Sequence, residues 1–118
     1  MPRSIIALML AGALISAAQA REVSRNALHG AIAYHAASNS TGYAVDRRTS
    51  REARVEALSQ CGHQRCEIIA TLRSNCAAVA KGAKKIVTEK GATRQEAETK
   101  ALRRCGEACE IAIWACTR

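Results

Sequence analysis

Six cysteines, at positions 61, 66, 76, 105, 109 and 116, carry the clearest chemistry in this sequence, and three readings compete for them. The run Cys61-Gly-His-Gln-Arg-Cys66, with Cys105 and Cys109, could offer thiolates and the His63 imidazole to zinc. However, C-x4-C with C-x3-C is not the usual zinc-finger spacing. Thioredoxin-like redox exchange would use C-x-x-C, which is absent. The third reading is oxidation to disulfides, the normal fate of thiols in a small exported chain, and it is the expectation adopted here. Neither a metal nor a cofactor is expected.

Catalytic groups are sparse. Outside the first twenty residues the chain has three histidines (29, 35 and 63), the single aspartate Asp46 and scattered hydroxyls. His29 and His35 share a strand face but are six residues apart, roughly 20 Å along an extended strand, so they cannot share a proton or a metal. No nucleophile motif surrounds Ser38, Ser40, Ser50, Ser59 or Ser74. No catalytic residue is assigned, and enzyme activity is not expected.

Charge and one aromatic remain. Lys plus Arg number eighteen against ten Asp plus Glu, a net charge of +8. Arg47, Arg48 and Arg51 crowd the start of a helix, whose partial positive charge makes cations mildly unfavourable, so stability alone would not choose them. Lys81, Lys84 and Lys85 form a second cluster around a turn. Stacking platforms and a recognition helix are not visible, so nucleic acid is not an expected partner. A basic face that attracts an acidic protein, an anionic envelope polymer or a membrane surface competes with a merely solvated one. Trp114 reads as either part of a second buried layer or an anchor for a partner.

The elements that position these groups follow from an internal repeat. Thr49 to Gly62 (TSREARVEALSQCG) and Thr93 to Gly106 (TRQEAETKALRRCG) share Thr, Glu, Ala, Ala-Leu and Cys-Gly at the same places. Each reads as a helix that starts with the T-x-x-E capping spacing and stops at glycine. Ala53, Ala57, Leu58 and Cys61 form an apolar stripe copied by Ala97, Ala101, Leu102 and Cys105, so the two leucines should be equally important. A strand follows each helix, Cys66 to Arg73 and Cys109 to Cys116. Alternation gives Cys66, Ile68, Ala70 and Leu72, with their copies Cys109, Ile111, Ile113 and Ala115, a common face toward the helices. A weaker strand pair precedes each helix: Gly30 to Ala36 with Gly42 to Arg47, and Cys76 to Lys81 with Lys84 to Glu89.

The expected fold is α+β, two tandem ββαβ units with about six antiparallel or mixed strands and two helices packed on the sheet. In each unit a cysteine ends the helix and another opens the next strand. Among the fifteen possible connectivities the repeat therefore favours Cys61–Cys66 and Cys105–Cys109, leaving Cys76–Cys116. Apolar residues make up 48% of the chain but aromatics only 3%, so the core should be thin and built from small side chains.

Residues 1–20 read as a cleaved signal peptide: Arg3, an apolar run from Ile5 to Ala18, then Ala18-Gln19-Ala20. The run is too short for a bilayer span of roughly 20 residues, and no later stretch approaches that length. Residues 21–29 are expected as an N-terminal extension and 30–118 as one disulfide-bonded domain of two repeats, 30–75 and 76–118. The sequence sets no oligomeric state.

Gly30-Ala-Ile-Ala-Tyr34, the two helices ending Ala-Leu-x-x-Cys-Gly, the following Cys-Glu-Ile strands and the closing Cys116 resemble the bacterial family known as domain of unknown function 4189. The resemblance covers Gly30 to Cys116. It implies a small exported protein with paired cysteines, of a kind in some cases regarded as secreted effectors or partners in bacterial secretion and competition. The family brings no agreed catalytic residues. The expectation is thus an exported, periplasmic or secreted interaction domain binding a protein or anionic envelope partner through Arg47, Arg48, Arg51 and Trp114. The competing reading is a small cell-wall-directed hydrolase or an inhibitor of one.

Overall fold

The computed structural model describes residues 27–118; the signal-peptide expectation and most of the N-terminal extension lie outside them. The elements are β1 (His29–His35), β2 (Ser40–Arg47), α1 (Ser50–Cys61), β3 (Glu67–Arg73), β4 (Cys76–Lys81), β5 (Ile86–Gly91), α2 (Arg94–Cys105) and β6 (Glu110–Cys116). They form two ββαβ halves. Each half closes its own antiparallel sheet, in the order β2-β1-β3 and β5-β4-β6.

Both helices start as the spacing predicts. Thr49 and Thr93 are extended cap residues whose hydroxyls accept the Glu52 and Glu96 N–H groups at 3.1 Å. Glu96 reaches back past the cap to accept the Ala92 N–H at 3.1 Å, whereas Glu52 shows no reciprocal bond. A hydrogen bond from Lys100, then that from Ala92, hold the exposed Glu96 carboxyl below its ordinary value of 4.5. Its support for the helix start is therefore present above the ordinary carboxylate range and is lost as pH falls through its lowered value. Gly62 and Gly106 end the helices at φ 69° and 95°, donating their N–H groups to Leu58 and Leu102 carbonyls.

The central strands explain how layers of such small residues hold together. Ala31 and Ala33 of β1 point at Ala53, Ala57 and Cys61 of α1, while Ile32 between them points the other way. Cys76, Ala78 and Ala80 of β4 likewise meet Ala97, Ala101 and Cys105 of α2, and Ala77 and Val79 point away. The outward set from each sheet meets the other's. Ile32, Ala70 and Leu72 pack against Ala77, Val79 and Ala115, so the two sheets stack face to face with one helix on each outer side.

This stacking corrects the expectation that alternation would turn one whole face of each last strand toward its helix. Register shifts between Ile32/Ala33 and between Val79/Ala80 leave Ile69 and Ala112 as extra, unpaired residues in β3 and β6. Each bulge reverses the phase of its strand. Cys66 and Ile68, with Cys109 and Ile111, face the helices; Ala70 and Leu72, with Ile113 and Ala115, face the opposite sheet. Alternation read straight through a bulge cannot detect that change.

The leucines also differ. Leu102 packs partly buried against the layer under α2, but Leu58 is 38% exposed. The cause lies in the strand beneath: Gly42 brings α1 into backbone contact with β2, whereas its counterpart Val87 is a side chain in the layer under α2. The expectation of equal leucines therefore fails. Leu102→Ala should lower the unfolding free energy by about 2 kcal/mol and Leu58→Ala by less than about 1 kcal/mol, measured by urea denaturation.

Three disulfides cross-link this framework. Cys61–Cys66 and Cys105–Cys109 close the helix-to-strand connections, and Cys76–Cys116 joins β4 to β6 with Cα atoms 4.0 Å apart. Each lies within one half. The halves are held to each other by the apolar layer and by polar clamps at both ends. At one end Asp46, held at φ 57° by a bulge in β2, donates its N–H to Thr117 Oγ1 at 2.9 Å. Its carboxylate accepts the Thr117 hydroxyl at 3.2 Å and the Arg118 N–H at 2.9 Å. At the other end Lys81 Nζ donates to the Asn39 side-chain carbonyl.

Candidate functional site

Strand register gathers arginines at the Asp46 end. His29, the first residue of β1, pairs with Arg47 on one side and Arg73 on the other, so the two arginines flank it across the sheet. Arg48 and Arg51 follow at the entry to α1. The bond from Arg118 N–H to Asp46 brings the C-terminal arginine beside them. Five arginines from two strands, one helix entry and the chain end thus meet at one pole.

They are not equivalent. Arg47 is half-buried and ion-paired with Glu56, and its Nε is buried without a partner. It braces α1 against β2, which accounts for a cation at that place. Arg48, Arg51, Arg73 and Arg118 are exposed and form no ion pair among the described residues. Uncompensated cations so close together cost free energy by mutual repulsion, and an anion would relieve it. Arg94, at the entry to α2, pairs with Glu98 and lies over the Trp114 ring, 3.8 Å from its centroid.

The lysines of the second cluster are occupied. Lys81 holds Asn39, and Lys85 Nζ donates to the Arg104 carbonyl at 2.9 Å. Only Lys84 of the three has no such bond; Lys81 and Lys85 keep their charges, but their ammonium groups are held by neutral oxygens of the fold.

Trp114 is 38% exposed and borders a groove of roughly 500 Å³ along the open edge of β6. Tyr43 and Val45 of β2 line its other side. This aromatic pair could not be read from the sequence, because it depends on how the two sheets are offset.

A third cluster also escaped sequence reasoning. The His35 and His63 rings stack, with centroids 4.1 Å apart, because the Cys61–Cys66 loop folds back over the end of β1. His35 Nδ1 shares a hydrogen with Ser38 Oγ at 2.6 Å, Ser38 meets Ser40 at 2.7 Å, and His63 Nδ1 accepts the Arg65 N–H at 3.0 Å. A serine bonded to an imidazole can form a nucleophile, but a nucleophile also needs an oriented base and a place for substrate. His35 is oriented only by stacking, and a hollow between the β1–β2 and β4–β5 turns is lined by Ala36 and Ala37 without Ser38. The arrangement locks the turn. His29 lies at the far pole, and among the described residues no group of three or more His, Cys, Asp or Glu could hold a metal.

Fold and cross-links together define a disulfide-stapled module of two ββαβ halves with stacked sheets, a cationic pole and an aromatic edge groove. The chain belongs to the family described as Domain of unknown function (DUF4189), whose pattern matches residues 29–116. It is also similar to the NMR structure of Rv1813c from Mycobacterium tuberculosis, at 39% identity and a TM-score of 0.60 over 75% of this chain and 74% of that one. No curated protein matches it.

Proposed function

We propose that this domain is a non-enzymatic binding module, acting in the periplasm or outside the cell, that holds a partner presenting carboxylates or phosphates at its arginine pole. The observation that carries the reading is the convergence of Arg48, Arg51, Arg73 and Arg118 without carboxylate partners. Guanidinium groups suit such a role, since each presents a planar fork of donors to an oxyanion. Three disulfides and the leader-like first twenty residues support action after export. A link to secretion or bacterial competition rests on the family resemblance.

The test is affinity for two probes, polyglutamate and vesicles containing an anionic phospholipid, at low and high salt. Replacing Arg48, Arg51 and Arg73 with Gln should leave the melting temperature unchanged or slightly raised and weaken binding at least tenfold. The salt dependence should flatten as well, because exposed charges are screened over roughly 8–10 Å near physiological ionic strength. Unchanged affinity and unchanged salt slope in the variant would reduce the pole to a solvated surface. The polyglutamate and vesicle arms separate an acidic protein partner from a membrane.

The alternative, a small hydrolase acting on cell-wall polymer, has the Ser38–His35 bond in its favour. Turnover of peptidoglycan fragments by the purified protein, abolished by Ser38→Ala, would establish it.

A further inference from the structure

Strand register sets three residues in one row across the end of the first sheet. His29 of β1 pairs with Arg47 of β2 and with Arg73 of β3. All three lie on the α1 face. The β1–β3 register is unbroken from His29 to Ile32, so His29 shares the phase of Ala31 and Ala33, which meet α1. Arg73 likewise shares the phase of Thr71 and not that of Leu72, which meets the other sheet. The bulge at Asp46 interrupts β2 just before this row, but Arg47 donates to Glu56 of α1 and so lies on the same face. Residues directly opposite on one face have Cβ atoms about 5 Å apart, which stands the half-buried imidazole between two guanidinium stems.

The second half shows another way to finish the same row. Cys76, the first residue of β4, pairs with Gly91 and Cys116, so Arg47, His29 and Arg73 correspond to Gly91, Cys76 and Cys116. One half closes the end of its sheet with a disulfide between central and outer strand. The other places there an ionisable ring between two cations. Arg47 is accounted for by Glu56, but His29 and Arg73 form no ion pair among the described residues.

We propose that His29 is the proton-linked centre of the arginine pole, taking up a proton when an oxyanion is held there, so that the pole grips its partner more firmly as pH falls. This rests on the reading of the pole as an anion site and adds its regulation. The ring's free lone pair takes one proton from water, and the N–H so formed donates to an oxygen of the anion. Histidine is the side chain whose charge ordinarily changes between about pH 5 and 8. A neighbouring anion favours the charged ring, and by reciprocity the charged ring must favour the anion.

The groups around the ring leave that role open to a ligand. Arg47 and Arg73 flank it, and Arg48 and Arg51 stand at the entry to α1. Leu28, the residue before it, donates its N–H to the Arg118 carbonyl at 3.3 Å and draws that arginine alongside. The carboxylates nearby are Glu56, held by Arg47; Asp46, which accepts the Thr117 hydroxyl and the Arg118 N–H; and Glu52 in the first turn of α1. None of them bonds the His29 ring among the described residues. Cations outnumber carboxylates here, and a bound oxyanion supplies the counter-charge for a protonated ring.

The experiment is affinity of the oxidised protein for dextran sulfate at about pH 5.5 and about pH 8, at constant ionic strength. Sulfate esters keep their charge over this range, whereas polyglutamate begins to lose its own. The wild type should bind about tenfold more tightly at the lower pH. His29→Gln should keep the affinity of the higher pH and lose the gain. His29→Lys should bind at both pH values about as tightly as the wild type does in acid. Replacing His35 and His63 with Gln, at the opposite end, should preserve the wild-type profile.

Equal affinity of the wild type at both pH values overturns this proposal and leaves the pole standing. A gain that survives His29→Gln overturns it as well, as does a His29→Lys variant no tighter than wild type at the higher pH. No binding at either pH overturns the pole and its regulation together. If a His29 variant does not fold, the test is the His29 ring resonance of the wild type, followed through pH with and without dextran sulfate. Its midpoint must move to higher pH with the probe bound, and an unmoved midpoint overturns the proposal.

Discussion

Replacing Cys76 and Cys116 together with alanine should cost about 4 kcal/mol of stability, against about 2 kcal/mol for removing either of the other bridges. The difference comes from the length of chain each bridge closes. Cys76 and Cys116 are 40 residues apart in sequence, whereas Cys61–Cys66 and Cys105–Cys109 span 5 and 4. A longer closed loop removes more conformational freedom from the unfolded chain. The native contacts around the bridge add to this, since Cys76 and Cys116 both belong to the layer beneath α2. Urea denaturation of the three double-alanine variants tests the ranking. Equal losses would mean that chain closure does not control their contribution.

Gly42→Ala is the single substitution expected to do most damage, about 3 kcal/mol or more. A methyl group built on Gly42 would stand 2.2 Å from the Ala57 carbonyl oxygen and 2.4 Å from the Cys61 nitrogen. Both are helix backbone atoms, so no side chain can rotate aside, and α1 must lift off the sheet. The strands beneath it meet the helix mainly through Ala31, Ala33 and Ala44, with Ile68 beside them, so there is little side chain with which to fill the gap. Gly62→Ala is the useful comparison. There φ is 69° but the nearest atom to an added methyl is 3.8 Å away, so only the left-handed backbone penalises it, by about 1 kcal/mol. If the two variants unfold at the same denaturant concentration, α1 does not rest on β2 as closely as described.

The legible parts of this fold were those written in local chemistry. Threonine three residues ahead of glutamate, and glycine after cysteine, mark both helices to within a residue or two, because capping is decided within one turn. The repeat carried the halves and the grouping of strands. Hidden were the features that depend on two distant segments meeting. The bulges at Ile69 and Ala112 appear only against β1 and β4, and they decide which isoleucines join the inter-sheet layer. Leu58 and Leu102 are identical in local pattern and differ because Gly42 and Val87 differ on the strands below.

The candidate site followed the same division. Arg47, Arg48 and Arg51 stood out because a helix entry disfavours cations, and Arg47 then proved to be braced by Glu56. Arg73 and Arg118 gave no local signal. They join the pole through pairing with His29 and through the Asp46 clamp, 72 residues from Arg118 in sequence.

The stacked sheets make the arginine pole and the Lys84 end opposite extremes of one molecule, and that separation allows the proposed function to be tested on a single sample. A nuclear magnetic resonance titration with polyglutamate, read at the backbone amides and arginine side chains, is the most direct measurement. Shifts should concentrate at Arg48, Arg51, Arg73 and Arg118, leave Lys84 unmoved, and fade as salt is raised. Equal shifts at Lys84, or none at the four arginines, would contradict the proposal that the pole is built to hold an anionic partner.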